Sequence, residues 1–281
     1  MAMDFTKYQG LGNDFILIDH RHQSELQVTP DQAVVWCDRH FGIGADGVIM
    51  LLKDSDQNYR MRIFNADGSE PEMCGNGIRC LAKFMQDLQI PPHNQASAPY
   101  YQIHTLAGLI TTALEPDSLI GVDMGVPRLA AQEIPANLGI ATEPVINLDL
   151  TVAKQTWQVT TVNMGNPHCV VFVPDLTAID LPTLGPQFEH HPAFPQRINT
   201  EFVQVINRHH LKMQVWERGA GITMACGTGA CAVVVAAVLN NLSDRTCTVS
   251  LPGGDLQIYW QEQDDHLRMT GPAIKVFEGR I

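Results

Sequence analysis

Met73-Cys74-Gly75-Asn76-Gly77-Ile78-Arg79-Cys80 is the stretch that decides the fold, because Ala225-Cys226-Gly227-Thr228-Gly229-Ala230-Cys231 resembles it much later in the chain. Both stretches contain Cys-Gly-x-Gly immediately before an apolar segment of helical character. A cysteine at this position lies where a helix N-terminus presents unpaired backbone N–H groups and partial positive charge. This setting favours ionisation of a thiol, so each cysteine is a candidate reactive group.

Four pairs of residues in loops or at strand ends keep nearly one spacing, which indicates an internal repeat. The pairs are Asn13 with Asn166, Gly47 with Asn199, Asn65 with Glu217 and Cys74 with Cys226, at offsets of 153 (166 − 13), 152 (199 − 47), 152 (217 − 65) and 152 (226 − 74). The repeat predicts an α+β protein of two pseudo-symmetric halves. Each half is expected to be a strongly curved, mainly antiparallel sheet wrapped around a central helix, with the active site in the cleft between the halves.

We place the N-terminal half at residues 1–118 with a C-terminal segment at 272–281, and the C-terminal half at residues 119–271. Within the first half, Thr29-Pro30-Asp31-Gln32 has the capping-box pattern and predicts a helix to about Arg39. The segment after Cys226 is apolar on every side, as in a fully buried helix. Its valines also suit a strand, and its match to the first Cys-Gly-x-Gly segment favours the helix.

Composition and charge argue against several classes of function. The 281 residues are 45% hydrophobic and 17% charged, as in a well-packed enzyme. The net charge of −12 (18 − 30), without a visible Lys/Arg cluster, argues against a nucleic-acid partner. The longest apolar run, Ala230 to Leu239, is about half of the roughly 20 residues of a membrane span, and the N-terminus lacks a signal-peptide layout. We therefore expect no membrane segment and no targeting segment.

The cysteine count favours a reducing cytoplasm, because seven dispersed cysteines are a poor basis for a disulfide framework. No C-x-x-C pair occurs, so we predict no metal site. The glycine-rich loop Gly42-Ile43-Gly44-Ala45-Asp46-Gly47 lacks the G-x-G-x-x-G spacing and precedes a strand, which disfavours a dinucleotide site. The six lysines stand in no recognisable pyridoxal motif, and no cofactor is predicted.

Two opposed cysteines at helix N-termini suit a small substrate held between them. A thiolate can remove a proton from a carbon stereocentre, and a thiol can return one to the opposite face, which inverts the centre. The N–H groups at Gly75-Asn76 and Gly227-Thr228 are expected to bind a substrate carboxylate and to stabilise developing negative charge.

Six motifs together carry a family resemblance that covers nearly the whole chain, in order. They are Gly10-Leu11-Gly12-Asn13-Asp14-Phe15, Phe64-Asn65-Ala66-Asp67-Gly68-Ser69-Glu70, Cys74-Gly75-Asn76-Gly77, Met164-Gly165-Asn166-Pro167-His168-Cys169, Glu217-Arg218-Gly219-Ala220-Gly221 and Ala225-Cys226-Gly227-Thr228-Gly229-Ala230. In these motifs the sequence resembles the diaminopimelate epimerases. The resemblance implies a cofactor-independent isomerase that interconverts LL- and meso-2,6-diaminopimelate in lysine biosynthesis, usually as a homodimer.

The resemblance also implies roles for individual residues. Cys74 and Cys226 are the implied acid–base thiols, and His168 and Glu217 would tune them. The implied substrate contacts are Asn13, Asn65, Asn166, Asn199, Glu217 and Arg218, with Arg218 on the distal carboxylate as a bidentate donor. One departure is Gly47, where some members carry glutamine, so one distal contact is missing or replaced.

Three other interpretations remain open from the residues. A redox protein would cycle Cys74 and Cys226 between dithiol and disulfide, and would show no exchange of carbon-bound hydrogen. A non-catalytic anion-binding module would keep its function with serine at both positions. A proline racemase-like isomerase would use the same two cysteines on another substrate, whereas the asparagine set and Arg218 favour a longer substrate with a second amino-acid end.

Overall fold

The computed structural model describes residues 3–23, 28–54, 58–95, 98–139 and 143–281. The α-helices in this part of the chain are α1 (Pro30–Cys37), α2 (Gly75–Asp87), α3 (Leu181–Glu189) and α4 (Gly227–Leu239). The strands are β1 (Asp4–Gly10), β2 (Asn13–Asp19), β3 (Gly47–Lys53), β4 (Tyr59–Asn65), β5 (Tyr100–Thr105), β6 (Gly108–Leu114), β7 (Leu119–Asp123), β8 (Leu148–Val152), β9 (Gln155–Asn163), β10 (Pro167–Phe172), β11 (Asn199–Asn207), β12 (His210–Glu217), β13 (Gly221–Ile222), β14 (Thr246–Leu251), β15 (Gly254–Trp260), β16 (Leu267–Pro272) and β17 (Ile274–Arg280). Short 3₁₀ turns lie at Pro116–Ser118, Ala131–Glu133 and Leu176–Ala178.

The chain divides into two compact units by its internal contacts. The first unit is Met1–Asp123 with Thr270–Ile281, and the second is Met124–Met269. The boundaries expected from the sequence lie five residues before the first division (123 − 118) and two residues after the second (271 − 269). The assignment of two domains on this basis stays a prediction.

In the first unit, β1 and β2 are antiparallel, β2 and β3 are parallel with α1 between them, and β3 and β4 are antiparallel. The pattern then repeats, because α2 leads to β5, which lies parallel to β4 and antiparallel to β6. Strand β17 pairs with β1, and β7 pairs with β6. Helix α2 contacts β17 and β7, at the two ends of this strand order, as well as β1, β2, β3 and β6. The sheet therefore wraps around α2.

The second unit repeats this order. Strands β9 and β10 are antiparallel, β10 and β11 are parallel with α3 between them, and β11 and β12 are antiparallel. Helix α4 then leads to β14, which lies parallel to β12 and antiparallel to β15. Helix α4 contacts β9, β10, β11, β12, β14 and β15, and every residue from Ala230 to Ala237 is buried. The predicted α+β fold, with two repeated halves around central helices, is confirmed.

Local signals in the sequence account for several elements. Thr29 caps α1, with its hydroxyl accepting from Gln32 N–H and the Gln32 side chain accepting from Thr29 N–H, so the predicted capping box is confirmed. The all-apolar segment after Cys226 is a helix, as its match to the first half predicts. Among the described residues, no helix combines the length and the apolar character needed to cross a bilayer.

Helix α3 of the second half is absent from the sequence-based prediction. Helix α3 contains Gly185 and Pro186, which usually interrupt helices. Its packing explains the glycine, since a Cβ on Gly185 would lie 2.4 Å from the Trp216 ring. The helix is thus stabilised by tertiary contact, which local propensity does not show.

Candidate active site

Cys74 is the N-cap residue of α2, the central helix of the first half. Its backbone is extended, with φ −135° and ψ 115°, and its Sγ accepts a hydrogen bond from Gly77 N–H at 3.4 Å. This bond satisfies one of the N–H groups that a helix start leaves without an intrahelical partner. The thiol is therefore fixed at the positive end of the helix, and it is half-buried.

An amide–carboxylate chain orients the groups around Cys74. The Cys74 thiol lies 3.8 Å from Asn13 Oδ1, which also accepts from Asn76 Nδ2 at 3.2 Å. The other end of the amide is fixed because Asn13 Nδ2 donates to Asp46 Oδ2 at 2.6 Å, and Asp14 N–H donates to the same oxygen. Asp46 thus decides which end of the Asn13 amide faces the thiol.

Arg79 is a fully buried cation beneath the same helix start. Its guanidinium donates to Asn76 Oδ1 at 3.0 Å, to the Gly75 carbonyl at 3.2 Å and to the Pro272 carbonyl at 3.4 Å. A buried charge is tolerated only where such hydrogen bonds replace water. Arg79 therefore fixes Asn76 and the first turn of α2, a role that sequence reasoning missed.

Cys226 occupies the matching position at the start of α4. Its φ of −127° and ψ of 109° resemble those of Cys74, and its Sγ accepts from Gly229 N–H at 3.4 Å. The thiol also lies 3.5 Å from the Thr228 hydroxyl and is only 5% exposed. The two halves therefore present their cysteines in the same local geometry.

The ionisation of Cys226 differs from the expectation. Burial, followed by the negative charges of Glu217 and Glu201, raises the pKa of this thiol well above its ordinary value, against the opposing hydrogen bonds from Thr228 and Gly229. The expectation of an easily ionised thiol is therefore wrong for Cys226 in this structure. At neutral pH it carries its proton.

Glu217 ends β12 beside Cys226. Desolvation raises the pKa of its carboxyl, and hydrogen bonds from the Thr223 hydroxyl and the Cys226 thiol oppose the rise. The Glu217 carboxylate favours the protonated form of the Cys226 thiol, whereas the hydrogen bond from that thiol favours the ionised form of the carboxyl. The structure thus brings the predicted pair Glu217 and Cys226 together.

His168 lies in a buried polar chain of the second half. Its Nδ1 is 2.6 Å from Glu201 Oε1, and its Nε2 is 3.0 Å from Asn166 Oδ1. His168 and Glu201 have no exposed side-chain surface. Glu201 is absent from the predicted site, although the sequence shows it as an acidic residue directly before the apolar pair Phe202-Val203.

Asn199 and Arg218 form a further contact in this half. Asn199 Nδ2 donates to the Pro167 carbonyl at 2.7 Å, and its Oδ1 accepts from Arg218 N–H at 2.9 Å. Asn199 is buried, whereas the Arg218 side chain is exposed and donates to the Gln196 carbonyl at 3.2 Å. Asn199 therefore holds the turn that carries Arg218, and its predicted contact with substrate stays a prediction.

Comparisons with known proteins identify the family of the chain. A family model described as diaminopimelate epimerase matches residues 5–130 and 160–276. The chain belongs to the diaminopimelate epimerase family. A protein of Nostoc sp. named diaminopimelate epimerase 1 is 63% identical over 282 residues, and one of Nostoc punctiforme named diaminopimelate epimerase is 62% identical over 282 residues. Each alignment covers 100% of both chains.

A solved structure of much lower identity shares the fold. The crystal structure of the Bacillus anthracis phenazine biosynthesis protein of the PhzF family matches with a TM-score of 0.70 at 14% identity, covering 100% of this chain and 99% of that chain. At this identity the likeness concerns the fold alone. It supports the diaminopimelate epimerase fold of two repeated halves.

Two other predicted positions of the diaminopimelate epimerase pattern have clear local surroundings. Asn65 ends β4, where its Nδ2 donates to Ser69 Oγ at 2.9 Å. Gly47 begins β3, where a Cβ would lie 2.7 Å from the Phe64 carbonyl oxygen. Because that obstacle is backbone, a glutamine at this position would require the strands to shift. The departure at Gly47 therefore follows from close strand packing.

The buried thiols of this diaminopimelate epimerase family member predict a loss of stability at alkaline pH. Burial raises the pKa of the Cys80 thiol from 9.0 to about 12, so the folded chain keeps a proton that the unfolded chain releases. This contribution to stability is complete below about pH 9 and is lost as pH rises toward 12. Near pH 10.5 the loss from one such thiol is about 2 kcal/mol. Urea denaturation near pH 8 and near pH 10.5 measures it.

The matched variant for this test is Cys80→Ala. It removes the titrating group, so its free energy of unfolding should fall less between the two pH values than that of the wild-type chain. Cys37 and Cys247, whose pKa values burial raises to about 12 and about 11, continue to contribute in both proteins. An identical fall in the variant and the wild type would contradict the assignment to Cys80.

Proposed function

We propose that this chain interconverts LL- and meso-2,6-diaminopimelate by cofactor-independent two-base proton transfer at an α-carbon. The proposal rests on one observation in a member of this family. Each half carries a cysteine as the N-cap of its central helix. In each, the thiol accepts a hydrogen bond at 3.4 Å from the backbone N–H of the glycine three residues later. Such paired geometry suits two groups that perform equivalent proton transfers in opposite directions.

In the proposed reaction, one cysteine as thiolate takes the α-proton and the other, as thiol, donates its proton to the opposite face of the carbon. The products are the inverted centre, a thiol at the first position and a thiolate at the second, so protons and charge balance. Cys226 enters as the donor in one direction, because its raised pKa keeps it protonated. The Cys226 thiolate that results is the base for the reverse direction, and Glu217 beside it can exchange the proton.

Backbone N–H groups support the carbanion in this scheme. We assign the substrate carboxylate to the N–H groups of Gly75, Asn76, Gly227 and Thr228, because helix N-termini bind anions and stabilise developing negative charge. Positioned acid–base groups contribute about 100- to 10,000-fold to a proton transfer. The rest of the acceleration must come from such preorganised donors.

The remaining proposed contacts give specificity for a substrate with two amino-acid ends. They are Asn13, Asn65, Asn166, Asn199, Glu217 and Arg218. The exposed Arg218 guanidinium suits the distal carboxylate, since it offers two parallel donors. The asparagine amides can pair with an ammonium group and a carboxylate because each carries both a donor and an acceptor.

Incubation with LL-diaminopimelate in deuterated water tests this function. We expect conversion to the meso isomer with one deuterium at the inverted α-carbon. Chiral chromatography measures the isomer, and mass spectrometry measures the deuterium. If neither the meso isomer nor α-deuterium is found, the proposal is wrong. Turnover of proline instead would favour the proline racemase-like alternative.

We also propose that the active protein is a cytoplasmic homodimer that serves lysine biosynthesis. The family resemblance implies the dimer, and β17 supplies an apolar surface for a second copy, with Ile274 and Val276 each 52% exposed and Phe277 43% exposed. A cytoplasmic location fits seven cysteines among which the described residues form no disulfide. Fractionation of the source cells tests the location.

Val276→Lys is expected to convert the dimer to a monomer, because it places a charge in the apolar surface of β17. Light scattering after size exclusion should give about 62 kDa for the wild type, twice 31.0 kDa, and about half of that for the variant. Val35→Lys, on α1, is the control, since Val35 is also an exposed valine. A monomeric wild type, or the same effect from both variants, would contradict this surface.

A further inference from the structure

A buried histidine–carboxyl pair lies under the start of α4 and next to Cys226. His168 is on β10 and Glu201 is on the neighbouring parallel strand β11. Their Nδ1 and Oε1 atoms are 2.6 Å apart, and both side chains are fully buried. A Cβ on Gly229 would lie 2.8 Å from Glu201 Oε1, so the carboxylate packs directly against the first turn of the helix.

The first half has an apolar pair in the corresponding place. Glu201 corresponds to Ile49 (201 − 152) and His168 to Phe15 (168 − 153), by the offsets of the repeat. The packing agrees, because a Cβ on Gly77 would lie 2.9 Å from Ile49 Cδ1, as one on Gly229 would meet Glu201. The fold therefore accepts hydrophobic side chains here.

A buried histidine–carboxyl pair is expected to stabilise the fold less than an apolar pair at the same positions. Burying a carboxylate costs several kcal/mol unless hydrogen bonds compensate, and an apolar pair of similar volume is often as stable or more stable. Glu201 Oε1 is paired with His168, whereas Glu201 Oε2 is buried with no hydrogen-bond partner within the described residues. An ionisable pair retained at such a cost next to Cys226, where the first half has apolar residues at the corresponding positions, points to a chemical role.

We propose that Glu201 is a positioning residue that holds His168 with its proton on Nδ1 and thereby makes Nε2 the nitrogen that exchanges protons. The proposal rests on the proposed function. Nε2 faces Asn166 at 3.0 Å, so the exchangeable proton lies on the side of a proposed substrate contact. The Glu201 carboxylate can accept from Nδ1–H whether the imidazole is neutral or charged.

The two protonation states differ at Asn166. A charged imidazole donates from Nε2 to the Asn166 oxygen, whereas a neutral one accepts from the Asn166 nitrogen after its amide turns over. Without Glu201, a neutral imidazole is free to move its proton to Nε2, which removes the acceptor. Glu201 therefore links the His168 tautomer to the orientation of Asn166.

The test compares Glu201→Leu with Glu201→Gln in protein carrying ¹⁵N-labelled histidine. In the wild type and in Glu201→Gln, we expect the His168 Nδ1 signal of a protonated nitrogen, because the glutamine oxygen still accepts. In Glu201→Leu, we expect the proton on Nε2 and a kcat about 100-fold lower, with most of the loss absent in Glu201→Gln. An unchanged tautomer or unchanged kcat in Glu201→Leu would overturn the proposal.

Two further variants separate this role from a structural one. The double variant His168→Phe/Glu201→Ile copies the Phe15 and Ile49 pair and should fold with a thermal transition at least as high as the wild type, but with strongly reduced turnover. Ile49→Val, at the corresponding position of the first half, should change kcat by less than about 3-fold. A double variant with wild-type kcat would count against the proposal.

These experiments also distinguish failure of the proposed function from failure of the proposal for Glu201. A wild-type chain that does not act on diaminopimelate would remove that function. The nitrogen signals of His168 in Glu201→Leu would still show whether Glu201 fixes the tautomer.

Discussion

Cys74→Ala and Cys226→Ala are each expected to lower inversion of diaminopimelate by at least about 1,000-fold, because each removes one of two proton-transfer groups. The remaining thiol can still exchange the α-hydrogen of the stereoisomer that it faces. Each variant should therefore incorporate deuterium from solvent into one isomer without forming the other. Chiral chromatography measures inversion, and mass spectrometry measures the exchange.

Cys80→Ala and Cys231→Ala are the matched controls, since both cysteines are buried in the same two helices. Burial raises the pKa of Cys80 to about 12, which keeps it an unreactive thiol at neutral pH. We expect both controls to keep kcat within about 3-fold of the wild type. Undiminished inversion in either proposed catalytic variant, or an equal loss in the controls, would contradict the two-thiol reaction.

The repeat explains why so much of the fold was predictable. Cys-Gly-x-Gly marks a helix start by local rules, since the cysteine caps the helix and the glycines remove side chains from its first turn. Matching the two copies then decided the ambiguous valine-rich segment. Helix α3 was missed because its Gly185 is explained only by the Trp216 ring, which is distant in sequence.

The pKa of the Cys226 thiol was harder to predict, because burial has a larger effect on it than the helix N-terminus has. A helix N-terminus contributes about 0.3–1 kcal/mol to a nearby charge, which is below one pKa unit, whereas full burial shifts a pKa by as much as 3–5 units. The helix end is visible in the sequence, but the burial of Cys226 and the proximity of Glu217 and Glu201 depend on three-dimensional packing. Burial is the larger effect, so the direction of the shift was wrong.

The sequence-based prediction of the site also missed two buried ionisable residues. Arg79 and Glu201 lie in a helix and a strand whose patterns predict only structural roles. Each has a partner in another chain segment, Pro272 for Arg79 and His168 for Glu201, beside the contacts of Arg79 within its own helix. The internal repeat could have singled out Glu201, since the residue 152 positions earlier is Ile49.

Glu217→Gln is expected to lower kcat about 100-fold while making Cys226 easier to ionise. Glutamine keeps the size of the side chain but cannot take the thiol proton. The negative charge of Glu217 is the largest cause after burial of the raised pKa of Cys226, so its removal lowers that pKa. The pH dependence of Cys226 alkylation by iodoacetamide, followed by peptide mass spectrometry, measures the shift beside kcat.

The combination of the two results is what identifies an acid–base role. If Glu217 acted only through its charge, a more ionisable Cys226 would be a better base, and kcat in the direction that uses it as base would rise. Thr223→Val is the matched control, because it removes the hydroxyl that donates to Glu217 and leaves the carboxylate in place. We expect it to lower kcat by less than about 10-fold and to leave the alkylation profile near that of the wild type. A wild-type kcat in Glu217→Gln would show that Cys226 exchanges its proton without Glu217, which leaves the His168 and Glu201 pair as the buried acid–base system of that half.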